Sequence, residues 1–146
     1  MTQVASDPSD ALQVGIYELL TGDATLVALI LGVYDGVPED IELADGDGYV
    51  VVGELLATPD GTHDGHGRQT SAVLHTWTRA ESHRPGNAIG GRLAALLTSQ
   101  AVALDALVDG HKVWRVAHEF AQTLVDPEPG IRHRIDRFRI WTSQDA

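Results

Sequence analysis

The sequence predicts an α+β domain with an antiparallel or mixed sheet of about four to five strands and helices on one face. Helical apolar spacing occurs in residues 9–31 and again after Pro85, whereas β-branched and aromatic runs fill residues 49–56, 69–79 and 131–141. The expected order is α-α-β-β-α-β-β-β. We expect one domain at residues 9–142, preceded by a flexible leader at residues 1–8 and followed by a short tail at residues 143–146.

Two helices are expected at the start of this domain. The first is capped by Ser9 or Asp10 and ends at Gly22, where glycine suits a left-handed C-cap. Its apolar stripe has helical spacing and consists of Leu12, Ile16, Leu19 and Leu20. Asp23 is placed to cap a second, short helix, which Gly32 ends.

A third helix and the strands follow. Residues 57–68 are rich in Gly, Pro and Asp and predict a mobile loop between two strands. Pro85 suits the first turn of the helix, and Gly90-Gly91 inside that helix indicates close packing on the sheet. Residues 104–108 and 112–122 flank Asp109-Gly110, a sequence that favours a hairpin turn. We therefore expect both flanking segments to be strands.

Side-chain alternation predicts how these strands face the core. Residues 49–56 are apolar on both faces, so the second face either meets another subunit or is covered by loops. On residues 112–122, one predicted face is formed by Trp114, Val116, His118 and Phe120, opposite Arg115 and Glu119. On the last strand, Ile135 is out of step with Phe138 and Ile140. A β-bulge near Asp136-Arg137 would restore the alternation.

Charge is distributed unevenly along the chain. The net charge is −11, and residues 1–67 contain 13 acidic residues and no Lys or Arg, whereas all 10 basic residues follow. The N-terminal half therefore lacks the basic surface that binding to DNA requires. Either the acids solvate loops, or acidic and basic surfaces of neighbouring copies face each other.

No pattern in the sequence predicts catalysis, a metal or a cofactor. The chain has no cysteine, no secretory signal pattern and no apolar run long enough to span a membrane. His63 and His66 lack the further ligands of a zinc site, and Asp45-Gly46-Asp47-Gly48 departs from a calcium loop at Tyr49 and Val50. A metal-dependent hydrolase using His and Asp residues is kept as the less favoured alternative.

Short blocks in a fixed order carry a family resemblance. The blocks are Val33-Tyr34-Asp35-x-Val37-Pro38, Tyr49-Val50-Val51-Val52-Gly53, His75-Thr76-Trp77-x-Arg79 and Arg132-His133-Arg134. This order resembles the tail-terminator, or tail-completion, proteins of long-tailed bacteriophages, prophages and gene transfer agents, over about residues 10–141.

The resemblance implies a structural virion protein of the neck region, assembled in the host cytoplasm. It would form a homo-hexameric ring on the head-proximal end of the tail tube, stop tube polymerisation and dock the head connector. Its implied partners are itself, the tail tube protein and the head-closure or connector protein, with DNA only as passing cargo and no membrane. Another neck component, such as a head-closure or adaptor protein, is the alternative.

The charge pattern suggests where such a ring would make its contacts. We expect acidic residues 35–47 or 60–64 to face the basic last strand, residues 132–139, of a neighbouring copy. The candidate interface residues are Asp35, Asp45, Asp47, Asp60, Asp64, Arg68, Arg132, Arg134, Arg137 and Arg139.

Overall fold

Helices and strands follow the apolar periods of the sequence in most of the chain. The computed structural model describes residues 7–59, 67–99 and 101–144. Its elements are α1 (Ser9–Thr21), α2 (Ala24–Val27), β1 (Val33–Tyr34), β2 (Gly48–Pro59), β3 (Gly67–Arg79), α3 (Arg84–Ser99), α4 (Ala101–Leu107), β4 (Lys112–Val125) and β5 (Ile131–Ser143).

The five strands form one mixed sheet in the order β1-β2-β3-β5-β4. β2, β3, β5 and β4 pair antiparallel, and β1 adds a parallel edge in which Val33 lies opposite Val50. The predicted α+β class and strand number are therefore confirmed. β1 was not predicted, because two residues are too short a run to show an alternating pattern.

The helices cover one face of this sheet, as predicted. Leu74 of β3 and Phe138 and Ile140 of β5 are fully buried against them. The helices contribute apolar side chains to the same cluster, among them Leu12, Ile16, Leu20, Leu93, Leu96 and Leu97. Each fully buried side chain of this size contributes about 1.5–3 kcal/mol, so this layer supplies most of the drive for folding.

The helix ends confirm part of the predicted capping. Asp23 accepts a hydrogen bond from the Leu26 amide at 2.9 Å, as expected of the α2 N-cap, and pairs in bidentate fashion with Arg92 of α3. The predicted caps of α1 are wrong. Its N-cap is Pro8, and Gly22 at the C-cap has φ of −85°, which is not left-handed.

Residues 104–108 were expected to form a strand, and this prediction is wrong. They lie mostly in α4, because Leu104 and Val108 are four residues apart and both pack on α1. A Cβ atom on Gly15 of α1 would lie 2.7 Å from Cγ2 of Val108, so the two segments are in close contact. The predicted turn at Asp109-Gly110 is present, with φ of +77° at Gly110, and it joins a helix to β4.

The predicted β-bulge in the last strand is also wrong. β5 pairs with β3 in unbroken register from Ile131 to Ser143, so its even-numbered residues face the helices and its odd-numbered residues face away. Asp136 therefore occupies the core face beside Phe138 and is fully buried. The bulge was predicted because a carboxylate was not expected on the core face of the strand. With Asp136 on that face, the alternation of β5 needs no bulge.

The bulges lie instead in β2 and β4. In β4 the register shifts between Val113 and Arg115 and again between His118 and Phe120. As a result Val116 lies opposite Ile140 on the helix side, whereas Phe120 lies opposite Arg137 on the other side. The single face predicted for residues 114–120 is therefore wrong, because a bulge reverses the alternation that follows it.

The strands on either side of the predicted loop 57–68 are longer than expected. Thr58 pairs with Gln69 and Pro59 with Arg68 at the end of the β2–β3 ladder. Residues 60–66, which include Asp60 and Asp64, lie outside the described residues, as do residues 1–6 of the predicted leader. The predicted mobility of both segments stays a prediction.

Candidate functional site

The helices leave the second face of the sheet without a covering layer. We call it the uncovered face; it carries the odd-numbered residues of β3 and β5 and the residues opposite them on β2 and β4. Residues 35–43 cross this face only at one end. There they border a cleft of about 510 Å³ beside Tyr49, Trp77 and Arg79.

A stack of aromatic and imidazole rings forms the surface beside this cleft. The His133 ring lies 3.7 Å from the Trp77 ring, centroid to centroid, at an angle of 11°. Nε2 of His133 is 2.8 Å from Nδ1 of His75, whose Nε2 lies 3.4 Å from a carboxylate oxygen of Glu54. Burial lowers the pKa of His133, and the adjacent His75 lowers this pKa further. The stack therefore favours a neutral His133.

The acidic residues before β2 belong to a segment that the sheet holds in place. Gly46, with φ of +88°, donates its amide to the Arg79 carbonyl at 2.8 Å, and the Arg79 amide donates to the Asp47 carbonyl at 3.0 Å. Nε of Arg79 also donates to the Leu43 carbonyl at 2.6 Å. The Asp47 carboxylate accepts a hydrogen bond from the Ala44 amide. The predicted interface acids Asp35 and Asp45 lie in this same anchored segment.

The opposite end of the uncovered face is basic and aromatic. The guanidinium of Arg115 lies 4.4 Å from the centroid of the Trp141 ring, and Trp114 lies 6.1 Å from that ring. Arg137 lies 4.9 Å from the centroid of Phe120. We call this surface the tryptophan–arginine patch, and it consists of Lys112, Trp114, Arg115, Phe120, Arg137, Arg139 and Trp141.

The four predicted arginines of β5 do not share one surface. Arg137 and Arg139 lie on the uncovered face, where Glu119 pairs with both, at 3.4 and 3.1 Å. Arg132 donates to the carbonyls of Ala80 and Glu81 before α3. The fifth predicted cation, Arg68, lies at the start of β3, opposite Thr142.

Arg134 lies on the covered face of the sheet. It makes two hydrogen bonds to Asp136, at 2.9 and 3.0 Å, and one to Asn87 of α3. His118 adds a third contact to Asp136 at 2.9 Å. Charge reversal at Arg134 is therefore expected to disturb the fold, so this residue is a poor probe of assembly.

One use of the glycine pair in α3 follows from Arg134. A Cβ atom on Gly90 would lie 1.9 Å from Nε of Arg134, whereas one on Gly91 would have no neighbour within 4 Å. The expected close packing is therefore found at Gly90 alone. The missing side chain of Gly90 leaves room for the side chain of Arg134. The close contact is therefore between the helix and an arginine side chain, and not between the helix and the strand backbone.

Within the described ranges, the geometry offers no metal centre. Histidine and carboxylate side chains there do not form a group of three or more that could hold a metal ion. None of the described helices is long and apolar enough to cross a membrane. No ion pair in the described part of the chain joins the acidic segment to the arginines of β5.

The ring stack and the tryptophan–arginine patch were not found from the sequence. Both depend on cross-strand pairing, because Trp77 lies opposite His133 and Arg115 lies opposite Trp141. The nearest signal in the sequence was the apolar character of both strand faces. It predicted that the second face either meets another subunit or is covered by loops, but not which residues meet there.

Comparisons with known proteins agree with this architecture. The family model for tail completion protein gp17 matches residues 14–143. A chain of the virion of a native gene transfer agent particle shares the fold with a TM-score of 0.79 and 23% identity, covering 95% of this chain and 99% of that one. The gp17 protein of bacteriophage SPP1 has a TM-score of 0.56 and 22% identity, with 90% and 88% covered. No curated protein sequence matches the chain.

The solved structures establish the shared fold, and the family model covers most of the chain. The predicted resemblance is confirmed, as are the predicted absence of enzymatic activity and the predicted place in the virion tail, because this family is a structural virion component. The chain belongs to the tail completion protein gp17 family.

Proposed function

We propose that this protein assembles as a homo-hexameric ring on the head-proximal end of the tail tube. The ring ends tube polymerisation, presents the surface that docks the head-closure or connector protein, and lets DNA pass through its lumen. The observation that carries the proposal is a sheet with one face sealed by helices and the other left largely uncovered. A protein with this form acts through its surfaces.

Exposed apolar side chains on the sheet support an assembly role. They occur on β2 and β4 and include Leu56, Trp114, Phe120 and Leu124, which are 37–66% exposed. Isolated exposed apolar residues are common, but a sheet surface that gathers several of them is typical of a protein–protein interface. The two described edges of the sheet add unpaired backbone groups at Gly53–Pro59 and along β4 beyond Val113, whose amide donates to Asp105.

Charge supports the role of DNA as cargo. A protein binds DNA mainly by neutralising phosphates with Lys and Arg, and this chain carries a net charge of −11. A ring built from such chains would not retain DNA inside its lumen. Binding of duplex DNA by the purified protein at about 0.15 M salt would contradict this part of the proposal.

Tube growth tests the proposed function directly. Purified protein is added to the cognate tail tube protein during polymerisation, and tube lengths and ends are recorded by electron microscopy. We expect shorter tubes, each with a ring at one end, and a ring mass of six chains by light scattering. Tube growth that continues unchanged would overturn the proposal, and binding only to portal-filled heads would favour the head-closure alternative.

A helix-face variant provides the control. Arg84 is exposed at the start of α3, on the helix side of the sheet. Arg84→Glu changes net charge without altering the uncovered face, so it should still cap tubes. Loss of capping in this variant would show that net charge, and not a particular surface, controls the interaction.

A further inference from the structure

The two ends of the uncovered face have opposite charge. The acidic segment, residues 35–47, contains six carboxylates and no basic residue; the carboxylates are Asp35, Glu39, Asp40, Glu42, Asp45 and Asp47. Among the described residues, none of them forms an ion pair with a basic side chain. Arg79 bonds the backbone of Leu43, Gly46 and Asp47, and Glu42 lines the cleft beside Arg79, so this part of the segment is held on one border of the face.

The tryptophan–arginine patch carries the complementary charge. It contains Lys112, Arg115, Arg137 and Arg139, and the one described carboxylate paired within it is Glu119. Arg115 is exposed and contacts the Trp141 ring, and no described carboxylate pairs with it. Trp114 beside it is 51% exposed. A guanidinium that stacks on an indole ring and is otherwise exposed can still pair with a carboxylate.

Distance prevents one chain from joining its own two ends. Trp77, beside the acidic segment, lies opposite His133, whereas the patch centres on Trp141 of the same strand. These β5 positions are eight residues apart, which is about 26 Å at the rise of a β-strand. Arg115 and Trp141 are therefore out of reach of the acidic segment of their own chain, and such a segment can approach them only from another copy. A contact between different surfaces of identical chains is heterologous, and such contacts generate rings when the rotation closes.

We infer that the acidic segment of one copy docks on the tryptophan–arginine patch of the next copy, head to tail around the ring. This inference rests on the proposed ring and names the surfaces that form it. It replaces residues 132–139 as a single basic partner, because Arg132 and Arg134 are used inside the chain. It also gives the uncovered face a defined occupant, a second copy of this chain.

Charge exchange tests the pairing. Arg115→Glu and the pair Asp40→Lys with Glu42→Lys should each weaken self-association by at least about tenfold, because each brings like charges together. Combining the three substitutions restores opposite charges and should recover assembly. The readout is mass by sedimentation over a concentration series at low salt, with Arg84→Glu on the helix side as the control matched to Arg115→Glu. Recovery supports the pairing, and failure to recover in a folded triple variant overturns it.

Engineered cysteines provide a second test, since the chain has no native cysteine. Asp40→Cys and Trp114→Cys variants are mixed under oxidising conditions, alone and with tail tubes. We expect covalent dimers from the mixture and a ladder up to the closed ring from the double variant. Asp40→Cys mixed with Arg84→Cys on α3 is the control and should give only background cross-linking.

The two experiments separate this inference from the proposed function. If the wild-type chain caps tubes but the 40–114 pair cross-links no better than the 40–84 pair, the docking surfaces are wrong and the function stands. If tubes grow unchanged in the presence of wild-type protein, the function fails whatever the cross-links show. Cross-linking of the Trp114→Cys variant to tube protein alone would assign the patch to that partner and overturn the inference.

Discussion

The two faces of β5 show how one strand divides its charged residues between a buried network and an exposed surface. On the covered face, Asp136 is fully buried and is paired with Arg134 and His118. On the uncovered face, Arg137 and Arg139 share Glu119 in partly exposed pairs. Adjacent residues of one strand thus have different surroundings, because the helices exclude water from one side only.

The energetics of the two sets differ for the same reason. Removing one partner of a buried ion pair leaves an uncompensated charge and costs about 3–5 kcal/mol. An exposed pair is screened by water and contributes about 0–1 kcal/mol. Substitutions on the covered face should therefore change the free energy of unfolding, and those on the uncovered face should change association.

The largest effect is expected at Asp136. Asp136→Ala should lower the free energy of unfolding by about 3–5 kcal/mol, because Arg134 would stay on the core face without its carboxylate. Urea denaturation measures the loss. Glu119→Ala is the matched control, since it removes the carboxylate of the uncovered face and should cost less than about 1 kcal/mol. Equal losses of unfolding free energy in the two variants would show that the faces do not differ. If Asp136→Ala does not fold, Asp136→Asn supplies a milder variant.

Gly90 and Gly91 offer the next comparison. Gly90→Ala should lower the free energy of unfolding by about 1–3 kcal/mol, because the new methyl group must displace a guanidinium held by Asp136 and Asn87. Gly91→Ala meets no neighbour and should raise it by about 0.5–1 kcal/mol through helix propensity. Thermal and urea unfolding of both variants check the opposite signs, and stabilisation by both would refute the close contact.

A smaller effect on stability is expected from pH. Since the pKa of His133 is lowered by burial and by His75, the folded chain binds a proton at this site less readily than the unfolded chain. Stability from this site is complete above the unfolded value of about 6.5 and falls as the pH drops through the folded pKa. Nearby titratable groups are His75, Glu54, Asp35 and Asp126, of which Asp126 opposes the shift.

Substitution of His133 separates this contribution from that of its neighbours. His133→Phe keeps a ring against Trp77 and should flatten the pH dependence of the urea midpoint between about pH 8 and 5.5. His83→Gln, before α3, is the histidine control and should keep the wild-type slope. An unchanged slope in His133→Phe would assign the pH dependence to other groups.

The smallest effect on the isolated chain is expected at Arg139. Arg139→Ala should change the free energy of unfolding by less than about 1 kcal/mol, because its pair with Glu119 is partly exposed. Arg134→Ala on the other face serves as the comparison and should cost several times more. A large loss in Arg139→Ala would mean that the uncovered face also stabilises the monomer.

Much of the fold was open to prediction because its signals are local. Asp23 caps α2 from three residues away, and Pro85 lies in the first turn of α3, as expected. The strands at residues 49–56 and 69–79 were predicted from β-branched content and lie within β2 and β3. The α4 segment was not predicted, because Leu104 and Val108 would share one face in either a helix or a strand. Only their contact with α1 in the structure distinguishes the two.

The candidate site was less predictable for a physical reason. The sequence contains the charge asymmetry and the arginines of β5, but alternation along a strand has meaning only once the register is known. The two bulges in β4 change which of its residues lie on the same face as Trp141. The buried Asp136 interrupts the alternation of apolar and polar residues in β5. Local patterns cannot reveal either feature, since both arise from pairing with distant strands.

By itself, the sequence determined the α+β class, the family and the separation of acidic from basic residues along the chain, because composition, order and short-range spacing carry that information. Only the tertiary structure decided which arginines are neutralised inside the fold and which remain at its surface. That decision follows from strand register and helix cover, which control the access of water to each charge.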